Sequence, residues 1–136
     1  MDTLLAIKNM LGVEVPADAV KFNSSAAAVV TSATPVVIKA ATAAKYTYIT
    51  EVRIVNITAA EVPIIQIKDD ADTPILLSTI YVGDPAVLAA AGIGTVVQKY
   101  NPPLKTTIGE GVTAQALATV GDCWVECSGF VSAESL

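Results

Sequence analysis

Acidic side chains are the most concentrated chemical groups in this sequence. Asp69, Asp70 and Asp72 lie close together, and oxygen ligands crowded into a loop are what Ca²⁺ prefers. A calcium-binding EF-hand also needs a glycine at the sixth position of its loop and a glutamate at the end, and neither follows here. Aspartate favours turns, and Pro74 is placed to restart an extended segment. We therefore interpret the cluster as a solvated hairpin turn and predict no metal site.

Paired carboxylates for glycoside hydrolysis are a second kind of site to consider. Glu51, Glu61, Glu110 and Glu126 are the candidates, but the reaction needs two carboxyl groups at a set separation, which a sequence does not reveal. The chain contains no histidine, so Ser-His-Asp and Cys-His catalysis are excluded. We predict that the protein is not an enzyme and has neither catalytic residues nor a cofactor.

Cys123 and Cys127 are the only cysteines, and they lie in a segment with the pattern of a strand. In an extended strand, four residues at about 3.3 Å each separate them by about 13 Å. A disulfide needs Cα atoms within about 7 Å, so the two cannot pair with each other there. Half of a metal site and a bridge between subunits are alternatives. We favour two small apolar side chains on a buried face, in a protein made in a reducing cytoplasm.

Composition limits the partners of this chain. Its 136 residues fit one domain, and only 15% are charged, whereas about 25% is usual for soluble domains. The surface must therefore expose neutral residues or be covered in an assembly. With 8 Lys plus Arg against 13 Asp plus Glu, it offers no basic patch for nucleic acid. The longest uncharged stretches are interrupted by polar residues, Gly or Pro, so we predict no membrane span.

The first 25 residues are predicted to form an N-terminal helix and arm, separate from a β-domain over residues 26–136. Residues 2–11 place Leu4, Ile7 and Leu11 at helical spacing, and Gly12 is a natural stop. Such a short amphipathic helix needs a surface to pack on. We predict that Leu4, Ile7 and Leu11 contact a partner, and that residues 13–25 form an arm or linker without regular structure.

From residue 26 onward, short β-branched runs alternate with Pro, Gly, Asn and Asp, which is the spacing of an all-β sandwich or barrel. A helix of two turns is expected over residues 84–92, because Asp84 and Pro85 begin it and Gly92 ends it. The eight predicted strands cover residues 27–31, 36–40, 46–58, 62–68, 75–82, 95–100, 111–119 and 123–131.

Strand alternation assigns faces to the aromatic residues. Over residues 46–58, Tyr46 and Tyr48 are predicted to share the inward face with Val52 and Ile54. Core or interface packing is favoured for the two tyrosines over a platform for stacking sugars. In the last strand Trp124 points away from the face of the cysteines, so we predict that it belongs to a partner-binding surface, with partial burial under a loop as the alternative.

Four stretches of the β region form a recognisable series: Tyr46–Asn56 (YTYITEVRIVN), Ile64–Asp69 (IIQIKD), residues 101–104 (NPPL) leading to Gly109, and residues 124–130 (WVECSGF). In this order they resemble small virion structural proteins of tailed bacteriophages. In such proteins a strand ending in Asn, a strand ending in an acidic turn, a Pro-Leu step and a closing Ser-Gly-aromatic strand describe a compact β-sandwich. The resemblance covers about residues 26–131 and leaves the N-terminal helix and arm outside it.

This resemblance implies an antiparallel, jelly-roll-like β-sandwich with no catalytic residues to carry over. It implies a capsid decoration or cement protein on the surface of the virion, synthesised in the host cytoplasm and commonly a trimer. The expected partner is the major capsid protein or another virion protein. The alternative is a head-fibre or tail-fibre module that binds a carbohydrate or receptor of the host surface.

Overall fold

The computed structural model describes residues 15–25, 33–56, 64–82, 95–117 and 123–136. Every regular element in these ranges is a β-strand. The predicted helices over residues 2–11 and 84–92, and the predicted strand over residues 27–31, lie outside the described residues. The strands are β1 (Val20–Ser25), β2 (Val36–Lys39), β3 (Tyr46–Asn56), β4 (Ile64–Asp69), β5 (Leu76–Tyr81), β6 (Thr95–Lys105), β7 (Val112–Ala116) and β8 (Cys123–Ser132).

The strands form two four-stranded sheets. The first sheet has the order β1-β8-β3-β6 and the second has the order β2-β7-β4-β5. All neighbouring strands are antiparallel. Buried residues of both sheets belong to one hydrophobic cluster, so the two sheets face each other in a sandwich-like arrangement. The prediction of an all-β fold built from antiparallel strands is confirmed.

Strand boundaries follow the sequence pattern closely, with β6 as the largest departure. The prediction ends this strand at Tyr100, whereas β6 continues to Lys105 through Pro102 and Pro103. Because β6 is at the edge of the first sheet, proline can be accommodated there without interrupting a central hydrogen-bond ladder.

The segment interpreted as an arm contains β1. Val20–Ser25 pairs along its whole length with β8, from Val20 opposite Val131 to Ser25 opposite Glu126. Phe22 packs against the core between the sheets. The sequence prediction is corrected here, since the short Val-Lys-Phe-Asn alternation is enough to add an edge strand once β8 provides a partner.

Residues just before β1 are also held by the β-domain. Val15 is buried against Tyr48 and Phe130. The Asp18 carboxylate accepts hydrogen bonds from Ser132 Oγ at 2.5 Å and from the Ala133 amide at 3.0 Å. These side-chain and backbone hydrogen bonds lower the pKa of Asp18 below its ordinary value. The chain is therefore part of the β-domain from Val15 onward.

The core between the sheets is built from aliphatic side chains and both cysteines. Cys123 and Cys127 face inward and are fully buried, while Trp124 and Glu126 face outward, as strand alternation predicts. Both cysteines are thiols, and burial raises the pKa of Cys127 to about 12. The interpretation of the pair as small apolar core residues is confirmed.

A β-bulge in β3 overturns the predicted face of its tyrosines. Ile49 lies opposite Gly129 and Glu51 lies opposite Ser128, so Thr50 is an extra residue that has no partner of its own on β8. The alternation of inward and outward side chains changes phase there. Ile49 packs in the core between the sheets, whereas Tyr48 lies on the opposite face of the first sheet. The prediction that Tyr46 and Tyr48 share a face with Val52 and Ile54 is wrong.

Candidate functional site

The outward surface of the second sheet is the candidate functional site. In β4, Ile65 and Ile67 are buried in the core, so Ile64, Gln66 and Lys68 point away from it. The register of β4 with β5 and β7 then decides which side chains lie beside them on the same surface.

Three rows of side chains cross this surface. Each row is defined by residues that lie opposite one another on neighbouring strands. The first row is Leu117, Ile64 and Tyr81, the second is Gln115, Gln66 and Thr79, and the third is Val37, Thr113, Lys68 and Leu76. We call these ten residues the second-sheet face.

Half of the second-sheet face is apolar, and the face is almost uncharged. Tyr81 is 73% exposed, Leu76 and Leu117 are each 51% exposed, and Val37 is 47% exposed. Lys68 is the single charged member of the three rows. The middle row offers amide and hydroxyl groups that can both donate and accept hydrogen bonds. Such a surface can be covered by a partner at little cost in charge desolvation.

The outward surface of the first sheet is different in character. Arg53 forms an ion pair of 2.8 Å with Glu126, and its guanidinium also donates to Asn23 Oδ1 at 3.1 Å. Ser128 donates to the same Asn23 oxygen at 3.0 Å. Arg53, Glu126, Asn23 and Ser128 thus form a polar network on this surface, and their charges would have to lose water on docking, which makes it a poorer docking surface than the second-sheet face.

Of the residues predicted to bind a partner, only Trp124 lies within the described part of the chain. Trp124 is half-buried on the outward surface of the first sheet, and its indole N–H donates to Glu126 Oε1 at 3.2 Å. It therefore lies on the other sheet from the second-sheet face. Leu4, Ile7 and Leu11 lie outside the described residues.

The aspartate cluster is a turn, as predicted, but its first member is not solvated. β4 ends at Asp69 and pairs with β5 after the turn. The Asp69 side chain is fully buried, and its oxygens accept from the Ile75 amide at 2.8 Å, the Thr107 hydroxyl at 2.7 Å and the Thr107 amide at 3.1 Å. It joins the turn after β4 to the loop after β6.

Asp69 is a structural carboxylate in this arrangement. Burial alone raises its pKa, but the hydrogen bonds from Ile75 and Thr107 more than offset that effect, so the pKa is below its ordinary value of 3.8. Asp70 and Asp72 are exposed. Across the described ranges, no three His, Cys, Asp or Glu side chains are grouped so that they could hold a metal ion.

Aromatic residues gather at one end of the first sheet. The rings of Tyr48 and Phe130 are stacked with centroids 4.9 Å apart, and the ammonium of Lys105 lies 4.4 Å from the centroid of the Tyr46 ring. Tyr48 is only 1% exposed, and its hydroxyl donates to the Glu134 carbonyl at 2.5 Å and accepts from the Leu136 amide at 3.0 Å. Tyr48 therefore holds the last residues in place and presents no ring face for a sugar.

A cleft of about 300 Å³ lies beside this cluster. Its charged group, the Lys105 ammonium, is already engaged by Ser135 Oγ at 2.5 Å. The cleft thus combines proline and tyrosine surface with a lysine that is already bonded within the chain. It is lined by Tyr48, Asn101, Pro102, Pro103, Lys105 and Leu136.

Comparisons with protein-family models, with curated proteins and with solved structures find no match for this chain. The part of the chain that the structure describes contains no helix with the length and hydropathy of a membrane-spanning segment.

Proposed function

We propose that this protein is a structural component of a phage virion, a capsid decoration protein that binds the assembled head through the second-sheet face and stabilises it. The observation that carries the proposal is the contrast between the two outward surfaces. One carries the ion pair of Arg53 and Glu126 and its polar neighbours, and the other exposes large apolar side chains beside neutral polar ones, with a single lysine. We propose no catalytic role, and the expected location is the capsid surface after synthesis in the host cytoplasm.

We further propose that the fold is a jelly roll. The pairings β1 with β8, β2 with β7, β3 with β6 and β4 with β5 are those of one long two-stranded ribbon folded over itself. The ribbon distributes alternate pairs to the two sheets, which is the arrangement of a double-sheet jelly roll. Viral capsid domains and lectin domains both use this architecture, so it supports a virion role without specifying one.

The second-sheet face suits a contact with a protein shell. Each Å² of apolar surface removed from water contributes about 25 cal/mol, so exposed Tyr81, Leu76, Leu117 and Val37 can supply the attraction. The row of Gln115, Gln66 and Thr79 can form hydrogen bonds across the contact. A protein that binds the assembled shell and not its separated subunits stabilises the assembled form by mass action.

In this proposal the predicted helix at Leu4, Ile7 and Leu11 provides a second contact with the shell or with a neighbouring copy, and the protein is a homo-oligomer. A deletion that tests the helix should stop at residue 14, because Val15 packs on Tyr48 and Phe130. A deletion to residue 22 would remove half of β1 and confuse lost attachment with lost folding.

The proposal predicts which sheet binds the head. Val37 and Val97 are each 47% exposed on outward surfaces, the first on the second sheet and the second on the first sheet. Val37→Glu places an unpaired charge in the proposed contact and should weaken binding by about tenfold or more. Val97→Glu is the matched control and should bind like the wild type.

Co-sedimentation with heads assembled without this chain measures both affinities. Equal binding of the two variants would remove the second-sheet face from the proposal. Failure of the wild type to bind heads, together with binding to host polysaccharide, would favour the alternative of a fibre module that recognises a host carbohydrate.

A further inference from the structure

The four edge strands of the two sheets differ in how they are protected. Edge strands expose unpaired N–H and C=O groups, and natural proteins block them with lysine, proline, bulges or very short length. Among the strands that the structure describes, the edges are β1 and β6 in the first sheet and β2 and β5 in the second.

Three of these edges carry such protection. Lys21 is exposed on β1. β2 has only four residues, with a register shift between Val37 and Lys39. β6 contains Lys99 as well as Pro102 and Pro103. Each of these features discourages the addition of another strand.

β5 carries no charged residue and no proline, and its one register shift is confined to its beginning. Its residues Leu76–Tyr81 (LLSTIY) include no charge and no proline, and the uncharged stretch extends from Thr73 to Val82. The register shift between β4 and β5 falls at Leu77, so the strand is regular from Ser78 to Tyr81. Among the described strands, β5 has no neighbour on its outer side.

β5 is also held in place without using its outer backbone edge. On the inner side, the hydroxyls of Ser78 and Tyr100 are 2.7 Å apart, which ties β5 to β6 of the first sheet. Ile80 is anchored in the core. The edge is therefore positioned before any partner arrives, which lowers the entropic cost of adding a strand.

We propose that β5 pairs with β5 of a second copy of this chain, antiparallel and about a two-fold axis, so that two second sheets become one continuous sheet. A second copy is the fitting occupant because an uncharged edge meets no repulsion from itself. In an antiparallel pair centred near Ile80, outward Thr79 and Tyr81 form cross-strand contacts of the β-branched and aromatic kind.

The protected edges of β1, β2 and β6 also determine the symmetry of an assembly formed by strand addition. A trimer built by strand addition would require β5 to meet an edge of another kind, and β1, β2 and β6 are all blocked. Pairing of β5 with itself closes after two copies. The pair would place two second-sheet faces side by side, but the pairing itself does not depend on what those faces bind.

Thr79→Lys tests the proposal, because Thr79 is exposed on β5 and the pairing would place two lysines diagonally across the two-fold axis, each opposite Tyr81 of the other copy. Gln115→Lys is the control, since it adds the same charge to the second-sheet face on β7, away from the edge. Light scattering at several concentrations should give the wild type and Gln115→Lys twice the 14.0 kDa of one chain, and Thr79→Lys a monomer.

A wild type that is a monomer at every concentration, a trimer, or a dimer that survives Thr79→Lys would overturn the proposal. So would dissociation by Gln115→Lys, because the contact would then involve the face and not the edge. If Thr79→Lys fails to fold, hydrogen exchange of the wild type tests the β5 pairing instead. The amides of β5 should exchange more slowly as the protein concentration rises, while the exchange rates of the β6 amides stay constant. The same concentration dependence in both strands would contradict the pairing.

Discussion

Gly129→Ala, which adds one methyl group, should destabilise this protein more than the addition of a methyl group at any other position of β8. A Cβ at this position would overlap the carbonyl oxygen of Tyr48 and lie 2.9 Å from its carbon, and both are backbone atoms. The methyl group can be accommodated only if β3 and β8 separate at the Thr50 bulge, in the middle of the first sheet. We expect a loss of about 3–5 kcal/mol in the free energy of unfolding.

Gly109→Ala is the matched control for this effect. Gly109 has a φ of +78°. The atom nearest to a Cβ added at this position is the backbone nitrogen of Ala44, at 3.9 Å. The added methyl has space, so the cost is the backbone preference alone, about 1–2 kcal/mol. Urea titrations of the two variants measure the difference. Equal destabilisation would show that β3 and β8 do not approach closely at the bulge.

Asp69→Asn should give the second large loss of stability, about 2–4 kcal/mol at neutral pH. Both carboxylate oxygens of Asp69 accept hydrogen bonds, one from the Ile75 amide and the other from the amide and hydroxyl of Thr107. An asparagine NH₂ group can replace neither acceptor, so at least one buried N–H would face another donor. Asp72→Asn, in the same turn but exposed, should change stability by less than about 0.5 kcal/mol.

The stabilisation of the folded protein by the Asp69 carboxylate should decrease in acid. Its folded pKa is below the ordinary value of 3.8, so the stabilisation is fully present above that value and is lost as the pH falls through the folded pKa. The stability gap between the wild type and Asp69→Asn should therefore narrow in acid. A gap that stays constant between neutral pH and pH values well below 3.8 would contradict the role assigned to the carboxylate.

Local pattern predicted the strands well because period-two alternation needs only neighbouring residues. The inward cysteines and outward Trp124 of β8 follow from it directly. The bulge at Thr50 could not be predicted in this way, because it is a feature of the pairing with Gly129 and Ser128, on a strand far away in the sequence. One extra residue changes the phase of the alternation and moves Tyr46 and Tyr48 to the other face.

The location of the candidate site also could not be predicted from the sequence, because it depends on how strands far apart in the sequence pair with one another. Leu117, Ile64 and Tyr81 come from three separate strands, and only the register of β7, β4 and β5 places them in one row. The low charge of the chain indicated that a neutral surface exists, but not where. The uncharged run through β5 was visible in the sequence, whereas its position at an edge was not, because edge position is a property of sheet order.

The proposed stabilisation of an assembled phage head can be measured as a change in the temperature at which heads release their DNA. Heads assembled without this chain should release DNA at a lower temperature than complete heads, and adding the purified protein should restore the difference. Identical release temperatures with and without the protein, under conditions where it saturates the heads, would contradict the account.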